Sequence, residues 1–392
     1  MSHPSVLPGI QAIEAEMIAL RRHLHAHPEL SFEEFATSDL IAAKLQEWGY
    51  EVHRGLGETG VVGRLKRGTG SKAIGLRADM DALPITEQTG LPYASQHDGK
   101  MHACGHDGHS AMLLAAARHL AQSGEFDGTL TMIFQPAEEG DGGARRMIED
   151  GLFERFPCDA VFAMHNMPGL PVGKLAFRSG PFMASTDTVS IHVQGVGGHG
   201  AMPHKAIDAV LVGSAIVMAL QSVVARSVNP LDCAVVTVGA FHAGTAANVI
   251  PEHCALQLSV RALTLEVRDQ LIERITAIAE AQAASFGASA RVVVDEAQRF
   301  PPLVNHEQPT AFARQVALGW LGSDGVISET APLTGSEDFA VMLQHCPGSY
   351  LLIGNGDGEG GCMVHNPGYD FNDDCLGLGA SYWVRLVEAF LV

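Results

Sequence analysis

Residues 186–195 read TDTVSIHVQG, and with them the rhythm of the chain changes. The stretch reads as a strand, AIDAVLVGSAIVMALQSVVA (206–225) as a helix, and CAVVTVGAFHA (233–243) and CALQLSVRAL (254–263) as two further strands. EVRDQLIERITAIAEAQAASFG (266–287) is a second helix and ARVVVDEA (290–297) a last strand. The order βαββαβ is the ferredoxin-like arrangement and makes a compact α+β unit of its own. On either side the pattern differs. IQAIEAEMIALRRHLHAHPEL (10–30) and FATSDLIAAKLQEWG (35–49) carry helical periodicity, the second closing at Gly49. GVVGRLK (60–66), AIGLRADM (73–80), TLTMIFQ (129–135) and DAVFAMHNM (159–167) are short apolar runs, interrupted by a helix beginning near His109. Strands alternating with helices give an α/β domain: a mixed, mostly parallel sheet with helices on both faces. Related patterns resume after RFPPLVNHEQPT (299–310), with GSYLLIGNG (348–356) and the helix ASYWVRLVEAFLV (380–392). The expected organisation is an α/β domain in two segments, residues 1–185 and 299–392, interrupted by an inserted α+β domain, residues 186–298.

Composition narrows the function classes. A chain of 392 residues exceeds what one core usually serves. Its formal charge of −19 repels phosphate backbones and anionic lipid, so neither nucleic acid nor a membrane is an expected partner. The seven cysteines are odd in number, scattered and never spaced CxxC, which fits reduced thiols in the cytoplasm. MSHPSVLPGIQAIEAEM (1–17) lacks the basic start and apolar core of a signal peptide. The uncharged run between Asp208 and Arg226 reads as too short and polar to span a bilayer, and as a helix needing cover on more than one side. A dimer interface would supply the second cover.

Polar residues gather where strands end. Asp79 and Asp81 follow AIGLRA, Glu138 and Glu139 follow TLTMIFQPA, and His165 ends DAVFAMH. In open α/β sheets ligands bind at the carboxyl edge. HACGHDGHS (102–110) joins them in the loop before its helix. Cys104 and His106, two apart, can point to one side of an extended segment and reach one ion together. Cys, His, Glu and His form a borderline-soft donor set that favours a transition metal over calcium or magnesium. Adjacent acids do not easily grip one ion, so one of the pair can ligate while the other acts as a base. A cysteine amidase using Cys104 with His102 or His106 is the rival chemistry, though it leaves the paired acids without a task. A non-catalytic metal- or peptide-binding protein would need no such base. Singly, each residue has a bland alternative: a small buried cysteine, a loop histidine, solvated glutamates. His109 and His119 read as a helix-start residue and a surface position.

RRHLHAHPELSFEE, GLRADMDALPI, MHACGHDGHSAML, IFQPAEEGDGGARRMIEDG, AMHNMP, VGGHGAMPH, AANVIPE, TGSEDFA and VHNPGYDFND run in this order over nearly the whole chain. Together they resemble the amidohydrolases that include hippurate hydrolase, plant indole-acetyl-amino acid hydrolases and N-acetyldiaminopimelate deacetylase, a branch of the aminoacylase and glutamate carboxypeptidase metallopeptidases. The resemblance implies two divalent transition-metal ions, manganese or zinc foremost with nickel or cobalt fitting the same donors, held by Cys104, His106, Glu139, His165 and His365. Glu138 matches the general base and Asp81 the acidic residue behind the metals. Where the wider metallopeptidases have a histidine ligand in HxD this chain has Asp79, and Cys104 compensates; contact of Asp79 with metal is an open point. The resemblance also implies that His199 supports the oxyanion, in its own or a partner's site, and that Asn248 and Arg261, thirteen positions apart, hold the substrate carboxylate near Gly335. The implied reaction is hydrolysis of an N-acyl amino acid to a carboxylic acid and a free amino acid. A dipeptidase or carboxypeptidase of the same fold is the alternative. The implied assembly is a homodimer through the inserted domain, with a tetramer as the other form.

Overall fold

The structure is a computed structural model that describes residues 6–357 and 362–392. The first five residues of the stretch read for a signal peptide lie outside the described residues. Two compact units emerge. One runs through Gly180 and resumes at Val304–Ala331 and Asp338–Val392; the other comprises Pro181–Leu303 and Pro332–Glu337.

In the first unit α1 (Glu14–Ala26) stops at His27, directly before Pro28, whose ring cannot continue a helix. α2 (Phe35–Glu47) ends as expected near Gly49, which takes φ +89°. β1 (Glu51–Leu56) and β2 (Gly60–Arg67) form a hairpin, followed by β3 (Ala73–Asp79), α3 (His106–Ser123), β4 (Gly128–Gln135), β5 (Ala160–Pro168) and the short β6 (Leu175–Ala176). β4 is buried at every position and β3 at all but its first, the pattern of strands covered on both faces.

The second unit contains β7 (Asp187–Gln194), α4 (Ala209–Ser222), β8 (Ala234–Ala243), β9 (His253–Ala262), α5 (Leu265–Ser285) and β10 (Ser289–Val294). Its sheet runs β8-β9-β7-β10, antiparallel throughout, which is the ferredoxin-like order read from the sequence. Val189, Ile191, Val212, Ile216, Leu256, Leu258, Leu271 and Ile275 form its core. The chain then returns with β11 (Val326–Ile327), β12 (Gly348–Gly356) and α6 (Leu376–Phe390). The large sheet is ordered β1-β2-β4-β3-β5-β12-β6-β11. The β4-β3-β5-β12 stretch is parallel, while β1, β2 and β6 bring antiparallel pairings.

Two expectations need correction. α3 starts at His106 rather than near His109, because Gly105 in the left-handed region turns the chain and Asp107 fits the first turn of a helix. The helical run at Ala209 continues through a π-type turn, Val223–Ser227, past Arg226; its 19 residues are long and apolar enough to cross a bilayer. Val212, Ile216, Leu220 and Val223 are nevertheless buried in the core of the second unit, so one side of this helix is a packing face.

Candidate metal centre

Three neighbouring parallel strands place most of the site. Asp79 and Gln135 are register partners at the last positions of β3 and β4. His165 lies two residues beyond Ala163, which pairs with Arg77. The side chains that follow β4, Asp79 at the end of β3 and His165 within β5, three residues before its last, therefore leave the sheet at one level, near the carboxyl edge.

The HACGHD loop is bent into this edge by Gly105. Its φ is +89°, and a Cβ there would run into Asn166 Nδ2 and the Tyr369 hydroxyl, so a side chain is excluded twice. Asn166 ties the loop down. Its Nδ2 donates to Cys104 O (2.7 Å), its Oδ1 accepts from the Tyr369 hydroxyl (2.6 Å), and its backbone N–H donates to His109 Nε2 (2.9 Å). Sequence reasoning missed Asn166 and Tyr369. Asn166 was accessible in principle, since it follows His165 in a strand and must point to the opposite face.

Three groups of donors converge. Ligand atoms of Cys104, His106 and His165 lie within 4.8 Å of one another, as do those of Cys104, Glu139 and His365 and those of His106, Glu138 and Glu139. Cys104 joins the first two groups. Tautomers are set by the hydrogen bonds on the far side of each ring. His106 Nδ1 faces Asp81 Oδ1 (3.1 Å) and His165 Nδ1 faces Asn166 O (2.6 Å), so each Nδ1 carries a proton and each Nε2 is the nitrogen left to face the centre. His165 Nε2 is 3.3 Å from Cys104 Sγ. Asp81 holds a second element as well, because its Oδ2 accepts from Glu139 N–H and from the Ser31 hydroxyl, both at 3.0 Å. Asp81→Asn is expected to weaken divalent-ion affinity about 10–100-fold, the usual cost of losing such a partner; competition titration against a chelating dye measures it, and an unchanged constant would deny Asp81 this part.

Both acids of the pair bring a carboxylate oxygen within 4.8 Å of a His106 ring nitrogen. Ala137, directly before them, has φ +51°, and His365 has φ +64°. For residues other than glycine this region costs about 1–2 kcal/mol each, so strained backbone stands on two sides of the cluster. The His365 N–H donates to Ala103 O (2.7 Å), fixing that loop against the HACGHD segment.

Asp79 and His109 form a further group with His106, their ligand atoms within 4.8 Å of one another. Asp79 Oδ1 accepts from His109 Nδ1 (2.6 Å) and Oδ2 from Arg77 (2.7 Å), with His106 Nε2 3.8 Å away. His109 Nε2 accepts from Asn166, so both of its nitrogens are engaged. Burial alone would raise Asp79, yet His106, His109 and Arg77 hold it well below the usual carboxylate range.

The donor set fits divalent cations. His106 Nε2 is buried and without a hydrogen-bond partner among the described residues. Burial opposes its charge, but Asp79 and Asp81 push His106 up to about 10. Burial, then the Glu139, Glu138 and Asp79 charges, push the Cys104 thiol well above its ordinary value. Both shifts mark an excess of negative charge, which a cation relieves while drawing the proton from the thiol.

The profile of peptidase family M20/M25/M40 matches residues 75–389, a span that includes every donor named above. The chain belongs to this family. Hippurate hydrolase from Campylobacter jejuni subsp. jejuni is 44% identical over 391 residues, which is 99% of this chain and 100% of that one. Thermostable carboxypeptidase 1 from Saccharolobus solfataricus is 38% identical over 387 residues, 97% of each chain. The solved structure of the Bacillus subtilis YXEP protein, described as a dinuclear metal binding peptidase from the M20 family, superposes with TM-score 0.83 and 34% identity over 97% of this chain and 99% of that one.

The remaining residues named from sequence lie in the second unit of this M20/M25/M40 chain. His199 pairs in register with Val249, and Gly200 N–H donates to Asn248 O (2.9 Å), so His199 and Asn248 share one corner. Arg261 donates to Thr334 O (3.2 Å) and lies 3.4 Å from Ser336 Oγ, which places it beside Gly335.

Proposed function

We propose that this M20/M25/M40 member is a metal-dependent amidohydrolase that cleaves the amide bond of N-acyl amino acids, releasing a carboxylic acid and the free amino acid. The observation that carries the reading is the pair of donor groups joined at Cys104, with Glu138 beside Glu139 and His106. Cys104, His106, Glu139, His165 and His365 would hold two divalent ions, with manganese or zinc first among those suited to sulfur, nitrogen and carboxylate donors. When bound, the ions supply Lewis acidity toward the amide carbonyl and toward water. Glu138 takes the proton of the attacking water and returns it to the departing nitrogen, acting as base and then as acid. Asp81 keeps His106 turned with its Nε2 toward the centre.

His199 is exposed, and its Nδ1 accepts from Ala201 N–H (3.1 Å). Its proton therefore sits on Nε2, which is the donor an oxyanion needs. Arg261, with Asn248 and Gly335, is assigned to the substrate's carboxylate, which suits a guanidinium fork. The inserted unit is assigned as lid and as the interface of a homodimer. Its α4 shows Val210, Leu211 and Met218 to solvent, and β8, an outer strand of its sheet, shows Phe241. Seven free thiols suit a reducing cytoplasm.

The cysteine-nucleophile alternative needs a thiolate beside an imidazolium. Of the imidazoles read for that role, burial lowers His102 to about 4, while at His106 burial is outweighed by Asp79 and Asp81, which raise it to about 10. Burial and the Glu139, Glu138 and Asp79 charges raise the Cys104 thiol, so the thiolate is disfavoured beside either ring.

The test is a substrate panel on metal-loaded protein: N-benzoyl and N-acetyl amino acids, the same compounds with the carboxylate esterified, and dipeptides with a free amino group. N-acyl amino acids should be turned over, and esterification should cost about 10–100-fold in kcat/KM, the worth of one charge-assisted contact. Turnover confined to dipeptides would replace this reading by the peptidase one, which the likeness to the thermostable carboxypeptidase favours.

A further inference from the structure

Glu34 is fully buried at the start of α2 but makes no side-chain cap to its own helix. Its carboxylate turns instead toward two other segments. Oε1 accepts from Ala137 N–H (2.9 Å), and Oε2 accepts from the Thr59 hydroxyl in the β1–β2 turn (2.6 Å). Ala137 is the left-handed residue immediately before Glu138 and Glu139. Its carbonyl is held too, by Gly143 N–H (2.9 Å), and Gly143 has no room for a Cβ against Pro136 O. Both backbone polar groups of a strained alanine are thus pinned, and one of the two pins is a side chain distant in sequence.

We propose that Glu34 is a positioning residue: by clamping Ala137 in the left-handed conformation it fixes where Glu138 and Glu139 point. The inference rests on the roles given to those two acids above. An alanine does not hold positive φ unless its surroundings impose it. Release of the clamp would let φ return to the ordinary region, and rotation there swings the next two residues away from His106. Burial, opposed by the Thr59 hydrogen bond and aided by the Asp81 charge, leaves the Glu34 carboxyl at about 7. A neutral isostere therefore suits the pocket: the oxygen of glutamine can accept from Ala137 N–H while its amide donates to the Thr59 hydroxyl, which rotates to accept.

The experiment compares Glu34→Gln, Glu34→Ala, Ala137→Gly and the double variant Glu34→Ala/Ala137→Gly. Readouts are kcat and KM on an N-benzoyl amino acid, Mn2+ affinity of metal-stripped protein by calorimetry, and thermal midpoint. Glu34→Gln should stay within about threefold of the parent in kcat. Glu34→Ala should lose roughly 30–100-fold in kcat with little change in KM, and about tenfold in Mn2+ affinity. Glycine adopts positive φ freely, so Ala137→Gly should restore at least about fivefold of the lost kcat in the double variant without restoring the thermal midpoint. A residue that merely filled space would lower the midpoint and show no rescue by glycine. Should Glu34→Ala not fold, Glu34→Asp, one methylene short of Ala137, carries the same expectations. Unaltered kcat and Mn2+ affinity in Glu34→Ala would overturn the clamp. If the parent itself hydrolyses no acyl amino acid, the proposed function fails instead, and the Mn2+ affinities still decide the clamp.

Discussion

Glu138→Gln is expected to keep its full complement of metal and to lose roughly 10²–10⁴-fold in kcat, with KM changed little. Glutamine matches glutamate in shape, so the packing of the PAEEG loop is retained. It cannot accept a proton from water, however, and the leaving nitrogen would have to depart without one. The five donors assigned to metal do not include Glu138, so metal analysis of the variant separates chemistry from binding. Near-normal turnover in a metal-replete Glu138→Gln protein would leave the general-base assignment without support.

Removal of the metals is expected to abolish hydrolysis, and their return to restore it, with a proton count that the structure sets in advance. In the cation-free site His106 lies at about 10 and the Cys104 thiol well above its ordinary value. At neutral pH the imidazole therefore carries both of its protons and the sulfur carries its own. A cation needs the Nε2 lone pair and the thiolate, so binding displaces about two protons and affinity rises with pH across the neutral range. The sign follows directly: acid favours the protonated, cation-free centre, and base favours the loaded one until pH passes about 10 at His106. Calorimetry of Mn2+ or Zn2+ binding in buffers of different ionisation enthalpy reads the protons released. Binding with no proton release would mean that these two side chains do not ligate. Hydrolysis that survives full chelation would return Cys104 to consideration as a nucleophile.

Much of this architecture was legible before folding was seen. Strand runs such as AIGLRAD and TLTMIFQ announce themselves by unbroken apolar character, and the βαββαβ order of the insert follows from pattern alone. The acids and histidines at strand ends were legible for the same reason, since topology sends them all to one edge. His365 was different. It is an isolated loop histidine, and family resemblance alone linked it to Cys104 and Glu139. The supporting layer stayed hidden. Nothing in the spacing of Glu34, Thr59 and Ala137 shows that one carboxylate will accept from both the Thr59 hydroxyl and the Ala137 N–H. Nor could the sequence show that Asn166 joins the Cys104 loop, Tyr369 and His109, because hydrogen bonds to the main chain depend on approaches that exist only after packing. One of the two glutamates was expected to ligate while the other stayed free as a base, because neighbours do not easily grip one ion; that both bring an oxygen within 4.8 Å of a His106 nitrogen is an approach their adjacency does not show. The left-handed φ of Ala137 before them is likewise not betrayed by residue identity.

The interrupted first unit has a consequence for biosynthesis. β12 hydrogen-bonds along β5, yet Gly348 is translated well after Pro168, with the whole of Pro181–Leu303 synthesised in between. Until then a nascent β5 has an unfilled edge on that side, and His165 waits without His365. Emerging strands with open edges are the ones that aggregate, so slow elongation or truncation past the insert should yield a chain whose smaller unit has its own core while its larger one depends on chaperones.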